Sequence, residues 1–249
     1  MKGEHRTMLK EALDIILRLW GDEEEFEHRG QYWTVRKPAA NARGTLRPHL
    51  RPFQKPYPPI SMSGLNASSD TLRLCGERGF MPMSINLNTS DVRGHWATVE
   101  AGATSVGRVA DRAHWRVSRE VCVAETDASA WKLAVEGGLG RLWGEHLLPL
   151  FRDFNFLTFL KHDQNVPDSD VTVEHLARHN WWIGTPETVT EKLQAMYPEL
   201  GGFGVMAMLM LNTDYVAAPE AWRESMGLLA HEVMPKVRHL TPLPEAKSA

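Results

Sequence analysis

Cysteine is nearly absent from this chain: two in 249 residues, Cys75 and Cys122, in no CxxC pair and no ligand cluster. That excludes a disulfide-stapled scaffold and a cysteine metal cluster as organising principles, and it predicts reduced thiols in a cytoplasmic protein. An excess of charge of either sign is also lacking. The 28 Lys and Arg stand against 31 Asp and Glu, a formal net charge of −3, with no basic tract. Nucleic acid is therefore not an expected partner. No apolar run reaches membrane length, and the opening MKGEHRTMLKEALDI is charged and then amphipathic without an apolar signal region. Neither secretion nor membrane insertion has support in the sequence. What is plentiful is tryptophan, nine residues scattered along the chain, most simply read as core or interface anchors.

In chain order, Leu9, Leu13, Ile16, Leu19 and Trp20 recur at helical spacing and predict an amphipathic helix running to about Gly21. An acidic connection over 22–25 and a small hairpin over 26–35 follow. The prolines and basic residues of RPHLRPFQKPYPP preclude regular structure and predict an extended excursion over 37–59. Residues 60–86, ISMSGLNASSDTLRLCGERGFMPMSIN, read as strand, polar loop, short helix and next strand. Gly64 permits the turn, Gly79 ends the helix, and Asn66, Ser68, Ser69 and Thr71 crowd the helix start. A helix N-terminus presents unpaired N–H groups, so hydroxyls there make a phosphate seat. Ordinary capping by Ser68 or Ser69 explains the same pattern, and Asp70 already supplies the helix dipole with negative charge.

Further on, 89–108 reads as a helix after a turn at 86–88, and WRVSREVCV (115–123) as a strand with period-two alternation. Within that strand solvent exposure is expected for at least one of Arg119 and Glu120. A helix over 128–135 precedes an aromatic-rich, irregular segment, 137–165, with helix expected around 141–150 and around 154–161, read as an inserted lid or interface. A helical turn over 173–179 stacks His175 and His179 at the spacing of a metal-binding pair. The order is EHLARH, no third ligand is apparent, and surface or packing histidines are the preferred reading, so no metal is expected. Residues 181–187, WWIGTPE, read as punctuation before another helix, which Thr185-Pro186 starts as cap and first residue. The apolar run FGVMAMLML (203–211) suits a strand covered on both faces, and 221–237 forms the closing helix. Four strands each followed by a helix predict a parallel α/β architecture: a partial (β/α)8 TIM barrel, about its C-terminal half, with one leading helix.

The ordered set LKEALDIILRLW, FEHRGQYWTV, RPFQKPYPPISMSG, NASSDTLRLCGERGF, GTPETVTEKL and GGFGVMAMLML leading to WRESMGLLAHEVMPKV resembles the bacterial luciferase-like flavin-dependent monooxygenases. It covers nearly the whole chain in the family's order and is similar to the limonene-monooxygenase-like members. The resemblance implies an oxidoreductase in which a separate reductase supplies reduced FMN and one oxygen atom of O2 goes to a small organic substrate. It places Ser68 and Thr71 in the family's phosphate-contacting loop, with Met62, Ser63 and Gly64 at the strand end facing the isoalloxazine; Asn66 and Ser69 complete the expected cofactor-binding set. F420 is the alternative cofactor.

The family carries roughly another hundred residues before the leading helix, with four strands and a catalytic histidine position. The expectation is therefore one partial barrel domain over 1–240, a loose tail over 241–249, and a truncated enzyme that forms a homo-oligomer or needs a completing chain. A non-catalytic remnant acting through association is the competing expectation.

Overall fold

The computed structural model describes residues 3–21, 25–43, 45, 51–85, 88–209 and 218–240. The acidic connection at 22–24, the turn at 86–87 and the tail over 241–249 lie outside the described residues. Two compact units divide the chain, residues 1–60 and 61–249.

The first unit opens with α1 (Glu4–Trp20), which buries Leu13 and Ile15 and ends on Gly21, as its apolar spacing requires. Strands β1 (Phe26–Arg29) and β2 (Thr34–Lys37) pair antiparallel, Phe26 opposite Lys37 and Arg29 opposite Thr34. One carboxylate fixes this hairpin to the helix: Glu11 accepts the backbone N–H groups of Gln31 at 3.0 Å, Tyr32 at 3.2 Å and Trp33 at 3.0 Å. Its partial burial works against ionisation, yet the hydrogen bonds from Trp33 and Tyr32 outweigh it and hold the carboxyl below the usual range. No helix or strand occurs among the described residues of 38–60, in keeping with the prolines there.

The second unit is built on parallel strands. Its elements run β3 (Ser61–Gly64), α2 (Asp70–Arg78), β4 (Met81–Ser84), α3 (Thr89–Ser105), β5 (Arg116–Val123) and α4 (Asp127–Trp131). There follow α5 (Gly138–Leu142), α6 (Leu148–Asp153), α7 (Val173–His179), β6 (Trp182–Gly184), α8 (Pro186–Glu199), β7 (Val205–Leu209), α9 (Pro219–Leu228) and α10 (Met234–Val237). The sheet order is β3-β4-β5, with β7 paired along 116–120 of β5 and β6 along its last three residues. All four expected strands are present and parallel. The repeated strand-helix path is that of a partial (β/α)8 barrel.

Strand β5 is the centre, and it departs from the sequence reading. Arg119 and Glu120 are both 1% exposed, so neither charged side chain reaches solvent. A strand flanked on both edges and covered on both faces has no solvent side, whatever its alternation. The faces differ in what they meet. Val117, Val121 and Val123 join a core with Leu72, Val92, Trp96, Val189 and Leu193, whereas Cys122 joins a second core with Leu139, Trp143, Leu160, Trp181 and Trp222.

Two further corrections concern this second core. Residues 137–165 pack as core rather than as a lid: α5 and α6, joined through a wider π-type turn at 143–147, overlap the helix expected around 141–150 and bury Leu139, Trp143 and Leu148, and a tight turn at 157–160, within the second expected helix, buries Leu157 and Leu160. Buried positions at 138–140, 143 and 148 alternate with exposed ones at 141, 144–146 and 150, so one side of this path packs into the core. Likewise Trp182, Ile183 and Gly184, read from sequence only as punctuation before a helix, form β6, a strand too short for any period to show.

Candidate cofactor site

The expected cofactor residues collect where β3 turns into α2. Along β3, Gly64 is buried against α2, so alternation puts Met62 on the same side and Ser61 and Ser63, both exposed, on the other. Gly64 is required there by close approach. A Cβ at this position would lie 2.5 Å from Ser69 Oγ and 2.8 Å from Leu72 Cδ1. The loop then closes tightly, Ser69 N–H donating to the Asn66 carbonyl at 3.2 Å.

Ser69 is the N-cap of α2. Its Oγ accepts the Leu72 N–H at 3.4 Å and it is 8% exposed. Of the two capping candidates the structure uses Ser69 and leaves Ser68 on the surface with Asn66; Thr71 is half-buried in the first turn. That first turn keeps the electropositive character of any helix start, because its leading N–H groups have no carbonyl within the helix to meet. The exposed carboxylate of Asp70 shares the turn. Exposed Ser68 and Asn66 beside an N-terminus, with Gly64 letting the backbone come close, fit a phosphate arriving from the C-terminal end of the strand.

Helix α3 holds this loop from behind. Thr98 Oγ1 donates to the Ala67 carbonyl at 2.7 Å, and a Cβ on Gly94 would lie 2.4 Å from that of Ala67. One turn away, Trp115 Nε1 donates to Ser84 Oγ at 2.9 Å, and Ser84 Oγ meets His95 Nδ1 at 2.8 Å. An indole N–H only donates, so the single Ser84 proton is available to His95 Nδ1. Burial pushes the His95 imidazole down to about 4, the neighbouring Asp91 and the carbonyls of Asn66 and Leu65 acting against it. His95 is thus neutral at pH 7, lying under the loop that carries Asn66. Sequence reasoning missed this chain because its members come from separate elements; the only local signal is a His on an otherwise apolar face of α3.

Elsewhere, a cavity of about 210 Å³ lined by Gly79, Phe80, Met81, Trp96, Arg108 and His114 opens at the N-terminal ends of β4 and β5. It is at the opposite end of the strands from the loop, where barrel folds carry stability rather than chemistry. The His175 and His179 pair is half-hidden on α7, and the structure supplies what the sequence did not show: His162, whose ring stacks on His179 with centroids 3.6 Å apart. A third imidazole, not apparent from the sequence, thus lies beside the pair. Burial, and then the neighbouring His162, lower the His175 and His179 pKa values, keeping both rings neutral at pH 7.

The family model of the luciferase-like monooxygenases matches residues 2–202. This chain belongs to that family. Among its luciferase-like relatives, 3,6-diketocamphane 1,6-monooxygenase of Pseudomonas putida is 32% identical over 236 residues, 92% of this chain and 61% of the relative. The 2,5-diketocamphane 1,2-monooxygenase 1 of the same organism is 30% identical over 242 residues, 95% of this chain and 66% of that one. A solved structure, the oxygenating constituent of 3,6-diketocamphane monooxygenase of Pseudomonas putida in complex with FMN, superposes with a TM-score of 0.82 at 31% identity. It is described as a type II Baeyer-Villiger monooxygenase, and the match covers 97% of this chain and 65% of that one. The chain therefore spans under two thirds of the length of these relatives. Among the described residues no helix is long and apolar enough to cross a membrane.

Proposed function

We propose that this chain binds reduced FMN through the β3–α2 turn and belongs to a monooxygenase acting on a small cyclic ketone. The observation that carries the reading is the β3–α2 turn itself, with Gly64 bringing strand and helix start together and Ser68, Asn66 and Thr71 at the rim. The 0.82 superposition on an FMN-bound monooxygenase supports that choice of cofactor, and the relative's Baeyer-Villiger description supports a ketone. Reduced FMN supplies the two electrons with which one oxygen atom of O2 passes to the substrate and the other leaves as water. In this reading Ser68 and Thr71 donate hydroxyl hydrogen bonds to the phosphate, Asn66 orients it, and Ser69 keeps the helix start rigid. Met62, Ser63 and Gly64 form the strand end beside the ring system. A separate reductase is the proposed electron donor, consistent with the naming of the relative as an oxygenating constituent.

The first test is titration of the purified chain with reduced and oxidised FMN, followed by flavin fluorescence and calorimetry. Ser68→Ala with Thr71→Ala is expected to weaken binding at least tenfold. Absence of FMN binding, or a double variant that binds like the parent, overturns the cofactor assignment. F420 in the same assay separates the two cofactors, because a phosphate seat by itself accepts either.

A second reading is favoured by one feature. The outer edge of β3 has no strand partner among the described residues, and an open edge recruits another chain. In that reading the chain associates with a copy of itself or a completing partner. Sedimentation tests it, a monodisperse monomer across the micromolar range counting against it.

A further inference from the structure

We propose that His162, His175 and His179 form a binding site for one divalent transition-metal ion, of which zinc is the reference case. Their candidate ligand nitrogens lie within 4.8 Å of one another. The three rings form a closed triangle, with centroids 5.0 Å apart for His162 and His175, 4.9 Å for His175 and His179, and 3.6 Å for His162 and His179. Three imidazoles are the donor set of borderline divalent ions, and three protein nitrogens plus one water complete a tetrahedral shell.

The anchor of the triangle is His175. It is 7% exposed, and its Nε2 is buried with no hydrogen-bond partner. A buried ring nitrogen without a partner is costly, and a metal ion satisfies it. The other two ligands are free to adjust: His162 sits in the exposed turn after 157–160 and His179 at the exposed end of α7.

Adjustment is needed. Zn–N bonds of about 2.0–2.1 Å bring tetrahedral ligand nitrogens to about 3.3 Å apart, against the 4.8 Å within which the three now lie. Two rings stacked in parallel also cannot both aim a lone pair at one ion, since each lone pair lies in its own ring plane. The exposed His162 ring must therefore swing off His179 into the triangle. The consequence is mechanical: the ion ties the turn after 157–160 to α7, closing the aromatic core that contains Leu157, Leu160 and Leu176. Such a tie stabilises the folded chain in proportion to metal concentration over the dissociation constant.

The site is read without flavin, so its fate is independent of the cofactor proposal. Chelator-treated chain is titrated with Zn²⁺ by calorimetry, and with Co²⁺ by visible absorption. The expected result is one ion per chain, tetrahedral Co²⁺ bands, and a higher melting temperature with Zn²⁺. His162→Ala and His179→Ala, both at exposed positions, are each expected to weaken binding at least tenfold and to abolish the Co²⁺ bands, with an unchanged circular dichroism spectrum. Failure of the parent chain to take up Zn²⁺, or a His162→Ala/His179→Ala double variant that binds it with parental stoichiometry and affinity, overturns the proposal.

Discussion

The two faces of β5 are covered by different materials. On one, Val117, Val121 and Val123 meet regular helices α2, α3 and α8 through Leu72, Val92, Val189 and Leu193. On the other, Cys122 meets short helices, π-type turns and a run of aromatics, and Glu120 is buried with its Oε1 accepting the Trp143 indole N–H at 3.2 Å. The first face is a scaffold of regular helices that also carries the Ser84–His95–Trp115 hydrogen-bond chain. The second packs on shorter, more irregular turns around a buried Glu120–Trp143 contact, and the histidine triangle lies against it. A central strand thus separates the layer that holds the β3–α2 turn from the layer that holds the histidine cluster.

The largest expected effect breaks the scaffold face. Trp115 is fully buried, with Trp96 at 5.5 Å and Phe203 at 6.4 Å between ring centroids, and the Arg112 guanidinium 5.7 Å from its ring. Trp115→Ala removes that hub and the bond to Ser84 together, and should cost about 3–5 kcal/mol. Urea unfolding measures it, and a loss under about 1 kcal/mol contradicts the hub.

Acid should act on the same face next. His95 titrates at about 4 in the folded chain against an ordinary value of 6.5. Between those values the unfolded chain holds more protons, so stability rises with pH; it is lost as pH falls from 6.5 through about 4, by up to about 3 kcal/mol. The lowered His175 and His179 act in the same direction from the other face. His95→Phe therefore flattens the pH profile of the urea midpoint without abolishing its slope. An unaltered slope in that variant refutes the assignment.

An aromatic-for-aromatic change sharpens the contrast between the faces. Trp143→Phe keeps an aromatic ring but removes the N–H that Glu120 accepts, and the carboxylate remains buried, so about 1–3 kcal/mol should be lost. Glu120→Gln in the same background should recover part of it, since the amide leaves one acceptor oxygen fewer to go unpaired in the core. If the two changes are simply additive in a double-mutant cycle, the contact does not hold the face together.

What the sequence made legible follows the same division. The caps at Ser69 and Thr185, the glycine stop at Gly79, the hairpin and the leading helix were readable because each is decided within three or four residues. The order of strand and helix fixed the parallel architecture. The strand, turn and helix of the β3–α2 stretch were legible for the same reason, their residues being contiguous. By contrast, the Ser84–His95–Trp115 chain, the burial of Arg119 and Glu120, and the arrival of His162 beside α7 depend on which elements pack together. No local spacing records that. Residues 137–165 were legible only in part for a related reason: the path passes from α-helix to a π-type turn at 143–147 and back, which breaks the 3.6-residue spacing by which helices are recognised.

The smallest expected effect concerns Asp70, where the two readings of the β3–α2 turn make opposite claims. If the turn is only a capped helix start, Asp70 in its first turn stabilises α2 through the helix dipole, and Asp70→Asn costs a few tenths of a kcal/mol with no other consequence. If it seats a phosphate, the same carboxylate opposes the ligand's charge while helping the helix. Asp70→Asn should then slightly lower stability and at the same time tighten FMN binding, by about threefold to fivefold, corresponding to about 0.6–1 kcal/mol of relieved repulsion. The gain should shrink as salt is raised, because the exposed carboxylate is screened within about 10 Å at 0.1 M ionic strength. Calorimetric titration at two salt concentrations reads both quantities. A variant that loses stability and leaves FMN affinity unchanged returns the turn to simple capping, and Ser68 and Thr71 to the surface.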